Sequence, residues 1–152
     1  MGLFNKETFS AEESKTAFEQ YKLYVEMANK ISERRGNVNT FFTTLNTLLF
    51  TVTAVIRSRD LLWVIFTCAI GCVISFAWYF TLNSYRQLNS GKFKVINEIE
   101  QRLPLSGFSY EWEVLESGTK KNKYWPISHV EKIVPVIFAS AYLIMAVIQC
   151  VF

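Results

Sequence analysis

The sequence predicts an all-α membrane protein with three transmembrane helices, amphipathic cytosolic helices and a short β-hairpin. Three stretches of about 20 residues contain no Asp, Glu, Lys or Arg, and these are residues 38–56, 61–82 and 133–152. That is the length an α-helix needs to cross ~30 Å of hydrocarbon. In addition, 51% of the residues are hydrophobic and 16% are aromatic, which is more apolar than an ordinary soluble domain.

Charge and hydropathy divide the chain into four segments. We expect a cytosolic amphipathic helix, a transmembrane hairpin, a cytosolic helix with a β-hairpin, and a third transmembrane helix, in residues 1–37, 38–82, 83–132 and 133–152. Lys and Arg number six in the first segment, eight in the third, and two in the 57–60 link between the first two spans. Because cytoplasmic loops are enriched in Lys and Arg, the N-terminus is predicted in the cytoplasm and the C-terminus outside.

The first segment contains a helix-starting signal. Ser10 and Glu13 have the spacing of a capping box, in which each side chain bonds the backbone of the other, so a helix should begin near Ala11. Apolar residues then recur at intervals of three and four, at Phe18, Tyr21, Val25, Ala28 and Ile31. This periodicity predicts an amphipathic helix that packs on its neighbours and ends near Gly36.

The first span is unusual because about half of its circumference is polar. Eight Asn and Thr residues lie on that half: Asn39, Thr40, Thr43, Thr44, Asn46, Thr47, Thr51 and Thr53. A bilayer offers an amide no hydrogen-bonding partner, so these groups must face protein or water. A monomer with three spans has little interior to offer, and the pattern therefore predicts a homo-oligomer.

Two interpretations of the polar half remain open. In the first it lines a pore, and the predicted lining residues are Asn39, Thr43, Asn46, Thr47 and Phe50. Phe50 would then form a hydrophobic constriction that gates the pore by dewetting. In the second the polar residues form interhelical packing contacts, and the threonines also bond their own i−4 carbonyl groups.

The second span carries small residues at intervals of three and four, at Cys68, Gly71, Cys72 and Ser75. This spacing predicts a face that approaches a neighbouring helix closely, either within the transmembrane hairpin or in an oligomer. Trp63 near one end of the span, and Trp78 with Tyr79 near the other, are predicted to be interfacial anchors.

The connection between the second and third spans is predicted to contain a helix and a β-hairpin. Residues 84–103 have helical periodicity, and Pro104 ends it. Residues 108–115 alternate with period two and predict the first arm of the hairpin. A turn at residues 117–119 would lead to the return arm at residues 123–127.

One cluster in this connection is a candidate ligand-binding site. It combines basic and aromatic side chains, and its members are Lys120, Lys121, Lys123, Tyr124 and Trp125. Such residues can pair with phosphate groups and stack on bases, so a cytosolic nucleotide or single-stranded DNA is the predicted ligand. The alternative is a solvated turn beside the anionic leaflet of the membrane.

The sequence offers no catalytic motif. It has no Ser/His/Asp set, no glycine-rich phosphate loop and no Cys/His cluster with metal spacing, and His129 is its only histidine. We therefore expect no enzyme activity, no cofactor and no metal. Glu98 and Glu100 are expected to be an ordinary pair on a helix surface.

Five segments carry a family resemblance, and these are Tyr85–Phe93, Asn97–Glu100, Leu103–Pro104, Tyr110–Trp112 and Val130–Pro135. In these segments the chain resembles the RipA-like family of small oligomeric bacterial inner-membrane proteins. The resemblance implies a homo-oligomer, from tetramer to octamer, in the inner (cytoplasmic) membrane of a bacterium.

The N-terminal helix, the close-set membrane hairpin and the helix that follows are also similar to the SLATT effectors. Those are predicted pore-forming partners of nucleotide-generating enzymes in bacterial conflict systems. The chain departs from that plan by its third span and by the insert at residues 105–130.

These resemblances imply a function and one alternative. The expected function is an oligomeric inner-membrane pore of anti-phage defence, gated or inhibited by a cytosolic nucleotide or single-stranded oligonucleotide, with a nucleotidyltransferase as its partner. The alternative, implied by the RipA-like resemblance, is a non-conducting membrane scaffold in pH or stress homeostasis.

Overall fold

The computed structural model describes residues 3, 9–56, 61–115 and 127–151. Four helices account for nearly all of them: α1 (Ala11–Ile56), α2 (Leu61–Glu100), α3 (Gly107–Val114) and α4 (Ile127–Val151). The chain forms two compact units. Unit 1 combines residues 1–33 with 86–126, and unit 2 combines residues 34–85 with 127–152. The helices α1 and α2 each contribute to both units.

Three of the helices are long and apolar enough to cross a membrane. These are α1, α2 and α4, whose most apolar windows have mean hydropathies of 1.3, 2.2 and 2.2. The three predicted spans lie in these three helices, one in each. The lower value of α1 reflects the Asn and Thr residues of its polar half.

The start of α1 confirms the capping box. The Ser10 backbone N–H donates to a Glu13 carboxylate oxygen at 2.9 Å, and the Glu13 N–H donates to the Ser10 hydroxyl oxygen at 3.2 Å. The predicted end of this helix near Gly36 is wrong, because α1 continues to Ile56. A glycine inside a helix costs only ~1 kcal/mol relative to alanine. Packing of buried residues on both sides of it, such as Ile31 and Asn46, can offset that cost, since tertiary packing supplies most of a helix's stability in a protein.

The predicted β-hairpin is not present in the residues that the structure describes. Its first arm, at residues 108–115, lies mostly in α3 instead. The alternation of apolar and polar residues suggested a strand, but a nearby carboxylate favours a helix here. Glu100 accepts hydrogen bonds from the backbone N–H groups of Phe108 and Ser109. These are first-turn donors, which a helix cannot satisfy by itself. Most of the second arm, at residues 123–126, lies outside the described residues.

The helix α4 begins at Ile127, so it is longer than the predicted span at residues 133–152. Pro135 lies inside this helix and is buried. A proline at that position removes the backbone hydrogen bond to the Glu131 carbonyl group. Glu131 itself lies in the helical extension that precedes the apolar stretch.

Unit 2 has a core where its three spans meet. Val64 and Cys68 of α2 and Tyr142 of α4 are buried together. Partly buried side chains surround them, at Leu49, Phe50, Cys72, Phe138, Met145 and Ala146. The core is therefore built by all three spans of a single chain.

Unit 1 has a smaller core between the N-terminal half of α1 and the C-terminal half of α2. Its buried apolar residues are Ala28, Ile31, Ile96 and Ile99. The helix α3 packs on α2 through Phe108, whose ring meets that of Phe93 edge to face at a centroid distance of 5.6 Å. The packing of the amphipathic α1 face on a neighbouring helix agrees with its predicted periodicity.

Candidate functional site

The structure divides the polar half of the first span into two bands with different surroundings. One band faces the other two spans of the same protomer, and we call it the inward band: Asn39, Thr43, Asn46 and Thr53. The other band is exposed, and we call it the outward band: Thr40, Thr44, Thr47 and Thr51. The two bands are adjacent on α1, since consecutive positions are separated by ~100° around a helix.

Asn46 is the centre of the inward band. Its side chain is fully buried, and its amide nitrogen donates to the Phe42 backbone carbonyl at 2.9 Å. Its side-chain oxygen accepts a 3.1 Å hydrogen bond from the Ser75 hydroxyl of α2. The amide is thus satisfied without water or a second subunit, which is what a bilayer demands of a polar side chain.

The same level of unit 2 contains a very close approach between α2 and α4. The Tyr142 hydroxyl donates to the Asn46 backbone carbonyl at 3.0 Å. The ring of Tyr142 lies so close to Gly71 that a β-carbon on Gly71 would meet ring atoms at 2.4–2.6 Å. The small-residue face of the second span therefore packs within the protomer. Ser75 contacts α1, its partner in the predicted hairpin, whereas Gly71 packs against α4, which was not one of the two predicted arrangements.

A second polar contact lies nearer the α4 N-terminus. The indole N–H of Trp78 donates to the Asn39 side-chain oxygen at 3.2 Å, and the ring of Trp78 stacks on Phe42. Trp78 is fully buried. The prediction that Trp78 anchors the protein at the lipid interface is therefore wrong, because its N–H finds a protein partner inside unit 2. Trp63, by contrast, is exposed.

Three of the four threonines of the outward band bond their own helix. The hydroxyls of Thr40, Thr47 and Thr51 donate to the carbonyl four residues earlier, at 3.1, 2.8 and 2.8 Å. Each hydroxyl oxygen keeps lone pairs that can still accept a hydrogen bond. The band therefore tolerates lipid and can also be wetted.

The five predicted pore-lining residues are distributed unevenly between these surroundings. Thr47 is exposed, and Asn46 is buried by α2 and α4. Asn39 and Thr43 are half-buried, and Phe50 is half-buried with its ring edge-on to Tyr142 at 5.6 Å. Pore lining by these five residues stays a prediction. In this protomer, Thr47 is the one of the five that has an exposed side chain.

Two polar contacts near the N-terminus of α4, in unit 2, were not predicted from the sequence. Arg35 of α1 and Glu131 of α4 form an ion pair with a distance of 3.1 Å between Nε and Oε2, and each side chain is only 17% exposed. The two atoms are not aligned as a hydrogen bond. Lys132 donates to the Asn83 side-chain oxygen and lies over the Tyr79 ring. Their separation along the chain left no local signal for either contact.

Glu100 in unit 1 is the other residue that sequence reasoning missed, because it is buried rather than exposed. Its carboxylate accepts hydrogen bonds from the Tyr21 hydroxyl at 2.8 Å, from the N–H groups of Phe108 and Ser109 at 3.2 Å, and from the Ser109 hydroxyl at 3.3 Å. Burial, and then the hydrogen bond to Glu100, raises the pKa of Tyr21 to about 12. Glu98 is exposed, as expected.

The predicted ligand cluster lies outside the described residues. This applies to all five of its members, Lys120, Lys121, Lys123, Tyr124 and Trp125. Within residues 9–56, 61–115 and 127–151, no three His, Cys, Asp or Glu side chains come together as metal ligands.

Comparison with known families decides the broad identity of the chain. The family model of the octameric membrane protein family (8xMP) matches residues 18–151. The chain belongs to this family. The 8xMP match includes residues of both units. It begins at Phe18, near the start of α1, and ends at Val151, the last residue of α4.

Membership of the 8xMP family makes the chain a small oligomeric membrane protein. This agrees with the predicted membrane location and homo-oligomer, and with the coarse part of the resemblance to the RipA-like family. No curated protein and no solved structure matches the chain.

Proposed function

We propose that the protein forms a ring in the membrane, in which the outward threonine band of α1 faces the axis and lines a water-filled pore. The observation that carries this proposal is the exposure of Thr40, Thr44, Thr47 and Thr51 along one stripe. Within the described residues, no other span has such a run of exposed polar side chains. Exposed positions on α2 and α4 are mainly large and apolar, for example Phe76 and Leu143.

Ring geometry supports a lumen. If the ring has the eight subunits that the family name states, eight copies of α1 surround the axis. Packed helices lie ~8–10 Å apart, and each helix is ~10 Å wide with its side chains. Eight such helices in contact leave a lumen roughly 11–16 Å across. Water or lipid must fill a lumen of this size, and a threonine surface favours water.

The outward band can face an axis while the protomer stays intact. The inward band would need the three spans to separate, which would break the Asn46–Ser75 hydrogen bond and expose the Tyr142 ring. A lumen lined by threonine carries no formal charge, so the proposed pore has little selectivity between anions and cations. The proposed role involves no catalytic step.

The cellular part of the proposal comes from the resemblance to the SLATT effectors. In it the pore is an effector of anti-phage defence in the bacterial inner membrane, with its N-terminus in the cytoplasm. A nucleotide or single-stranded oligonucleotide, made by a partner nucleotidyltransferase, would gate or inhibit it through Lys120, Lys121, Lys123, Tyr124 and Trp125. Salt-sensitive binding that is lost when the three lysines become glutamates is the expected result.

The second candidate is a non-conducting scaffold. One observation favours it, which is that the hydroxyls of Thr40, Thr47 and Thr51 already bond their own helix. A surface satisfied in this way does not require water. Threonine stripes also suit close contact between helices in lipid.

Ion flux through proteoliposomes separates the two candidates. The Thr44→Leu/Thr47→Leu double variant should lower the flux by roughly tenfold or more, because eight-fold rings of leucine dewet a lumen. The matched control is Leu48→Met. It replaces an exposed apolar side chain of the same helix by another apolar side chain of similar volume. The mass of each oligomer must equal that of the wild type. Absence of flux in the wild type would favour the scaffold. Equal flux in all three proteins would show that the protein conducts but that the outward band does not line the pore.

A further inference from the structure

Unit 1 has two exposed apolar patches on opposite sides of its α2 segment. The first, the α1–α2 patch, contains the exposed side chains of Leu23 and Met27 of α1 and Leu88 of α2, with the half-buried Lys92 of α2 beside them. The second, the α3 patch, contains Leu105, Tyr110 and Val114, flanked by Glu111 and Glu113.

Contacts between helices hold the α1–α2 patch together. The Lys92 ammonium lies 3.8 Å from the Met27 sulfur and 5.2 Å from the centre of the Tyr24 ring. Leu23 is one turn from Met27, and Leu88 is one turn from Lys92, so all four side chains lie along one seam. Leu23 and Leu88 are 54% and 53% exposed. Among the described residues, no carboxylate pairs with Lys92.

The α3 patch is the outer face of a short helix. Tyr110 and Val114 are four residues apart and therefore share that face, with Glu111 and Glu113 on its two flanks. Leu105 and Tyr110 are 82% and 69% exposed. The inner face of α3 is fixed by Phe108 on Phe93 and by the hydrogen bonds to Glu100.

Position on α2 places the two patches on different sides. Leu88 belongs to the first patch. Phe93 packs against Phe108 of α3, the helix whose outer face forms the second patch. Leu88 and Phe93 are five positions apart, which is about 140° around a helix. Cyclic oligomers with more than two subunits need two different, complementary surfaces on each protomer, since only such head-to-tail contacts can close a ring of that size.

We propose that the α3 patch of one protomer docks on the α1–α2 patch of the next copy of the chain. The apolar residues would bury each other, and Lys92 would meet Glu111 or Glu113 of the neighbour. Opposite charges around an apolar centre fix the register of such an interface. The inference rests on membership of an oligomeric family, not on conduction by the α1 threonines.

Cysteine cross-linking in native membranes tests the contact. The background is Cys150→Ser, which removes the exposed native thiol. With a short bismaleimide, the Leu23→Cys/Tyr110→Cys double variant should give a ladder of oligomers. Each single variant should give roughly tenfold less dimer, because a head-to-tail contact does not bring identical positions together. Equal dimer from a single variant would overturn the proposal, since it would indicate a two-fold contact.

Charge reversal gives an independent measurement. Lys92→Glu and Glu111→Lys/Glu113→Lys should each lower the fraction of full-size oligomer, and the three changes together should restore it. Restoration excludes a simple folding defect. Failure of the combined variant to recover, or no loss in either parent, overturns the proposal.

A lipid surface is the competing occupant of the α3 patch. A fluorophore attached to Tyr110→Cys should be insensitive to nitroxide-labelled lipid if a second copy covers the patch. Strong quenching would show that the bilayer covers it and would also overturn the proposal.

Discussion

The Tyr142 hydroxyl of α4 donates a 3.0 Å hydrogen bond to the backbone carbonyl oxygen of Asn46 in α1. The Tyr142 ring also lies against Gly71 of α2, so one side chain joins all three spans of unit 2. Hydrogen bonds between membrane helices contribute only ~0.6 kcal/mol on average. Truncating a buried aromatic side chain costs ~3–5 kcal/mol in protein cores. Packing of the ring is therefore the larger part of this contact.

Gly71→Ala should destabilise the fold by ~1–3 kcal/mol, the usual cost of overpacking. The added β-carbon would lie 2.4–2.6 Å from atoms of the Tyr142 ring. Equilibrium unfolding in mixed detergent micelles measures the change. Gly91→Ala is the matched control, because it lies in the same helix with no heavy atom within 4 Å, and there alanine should stabilise by ~0.5–1 kcal/mol. Equal effects of the two changes would contradict the close packing of Tyr142.

Sequence reasoning could find the small-residue face but not its partner. The spacing of Cys68, Gly71, Cys72 and Ser75 marks a close-packing surface whether the neighbour belongs to the same chain or to another. The neighbour of Gly71 is Tyr142, which lies about 70 residues further along the chain. Periodicity in a single helix contains no information on such distant contacts, and for the same reason it could not divide the polar half of α1 into two bands.

Glu100→Gln should loosen α3. The carboxylate accepts from the Tyr21 hydroxyl and from two groups of Ser109, as well as from the Phe108 N–H. A glutamine offers one oxygen, and its NH₂ group would face donors, so at least one buried donor loses its partner at a cost of ~1–3 kcal/mol. Hydrogen exchange of residues 107–114 should become faster. The exposed Glu98→Gln serves as control, and equal exchange in both variants would remove Glu100 from this role.

Alkaline pH should destabilise unit 1 through Tyr21. The pKa of its hydroxyl is raised from 10.0 to about 12, so the folded state holds this proton more tightly than the unfolded state. Its contribution is complete below about pH 10 and is lost as the pH rises through about 12. The difference in ultraviolet titration between wild type and Tyr21→Phe should contain a tyrosine that ionises near pH 12. A difference curve centred near pH 10 would mean that Tyr21 is neither buried nor bonded to Glu100 in solution.

The failure of the predicted hairpin has a similar physical origin. The apolar and polar residues alternate at residues 108–115, which is compatible with a strand. A helix can form there instead if its first N–H groups, which have no partner within the helix, find acceptors elsewhere. Glu100 supplies them from the end of the preceding helix. Its own position beside Glu98 suggested an ordinary surface pair. Glu100 is buried in part because it bonds Tyr21 of α1. The two residues are far apart in the sequence, so local sequence patterns do not predict this contact.

Membrane orientation can be tested with the native cysteine near the C-terminus. Cys150 is exposed, and the Lys and Arg distribution predicts that it lies outside. A membrane-impermeant maleimide added to intact spheroplasts should therefore label Cys150. A cysteine introduced by Lys121→Cys in a Cys150→Ser background should react only after the cells are lysed. Labelling of position 121 in intact spheroplasts would reverse the predicted topology.

Asn46 and Thr47 are neighbours on α1, but substitution by leucine should affect the stability of the fold at only one of them. Asn46 is fully buried and bonds Ser75, whereas Thr47 is exposed. Asn46→Leu leaves the Ser75 hydroxyl without its partner and places a branched aliphatic side chain in a fully buried position, so it should lower the free energy of unfolding by ~1–3 kcal/mol. Thr47→Leu should leave the free energy of unfolding within ~0.5 kcal/mol, as is usual for exposed positions.

Unfolding and ion flux must be measured on both variants in the same lipid. If the outward band lines the pore, Thr47→Leu lowers the flux at unchanged stability, because the added apolar surface acts on the lumen alone. Asn46→Leu would then lower flux only in proportion to the protein that it unfolds. The reverse pattern, in which Asn46→Leu blocks a fully folded protein and Thr47→Leu is silent, would place the inward band on the axis and require the spans to rearrange on assembly.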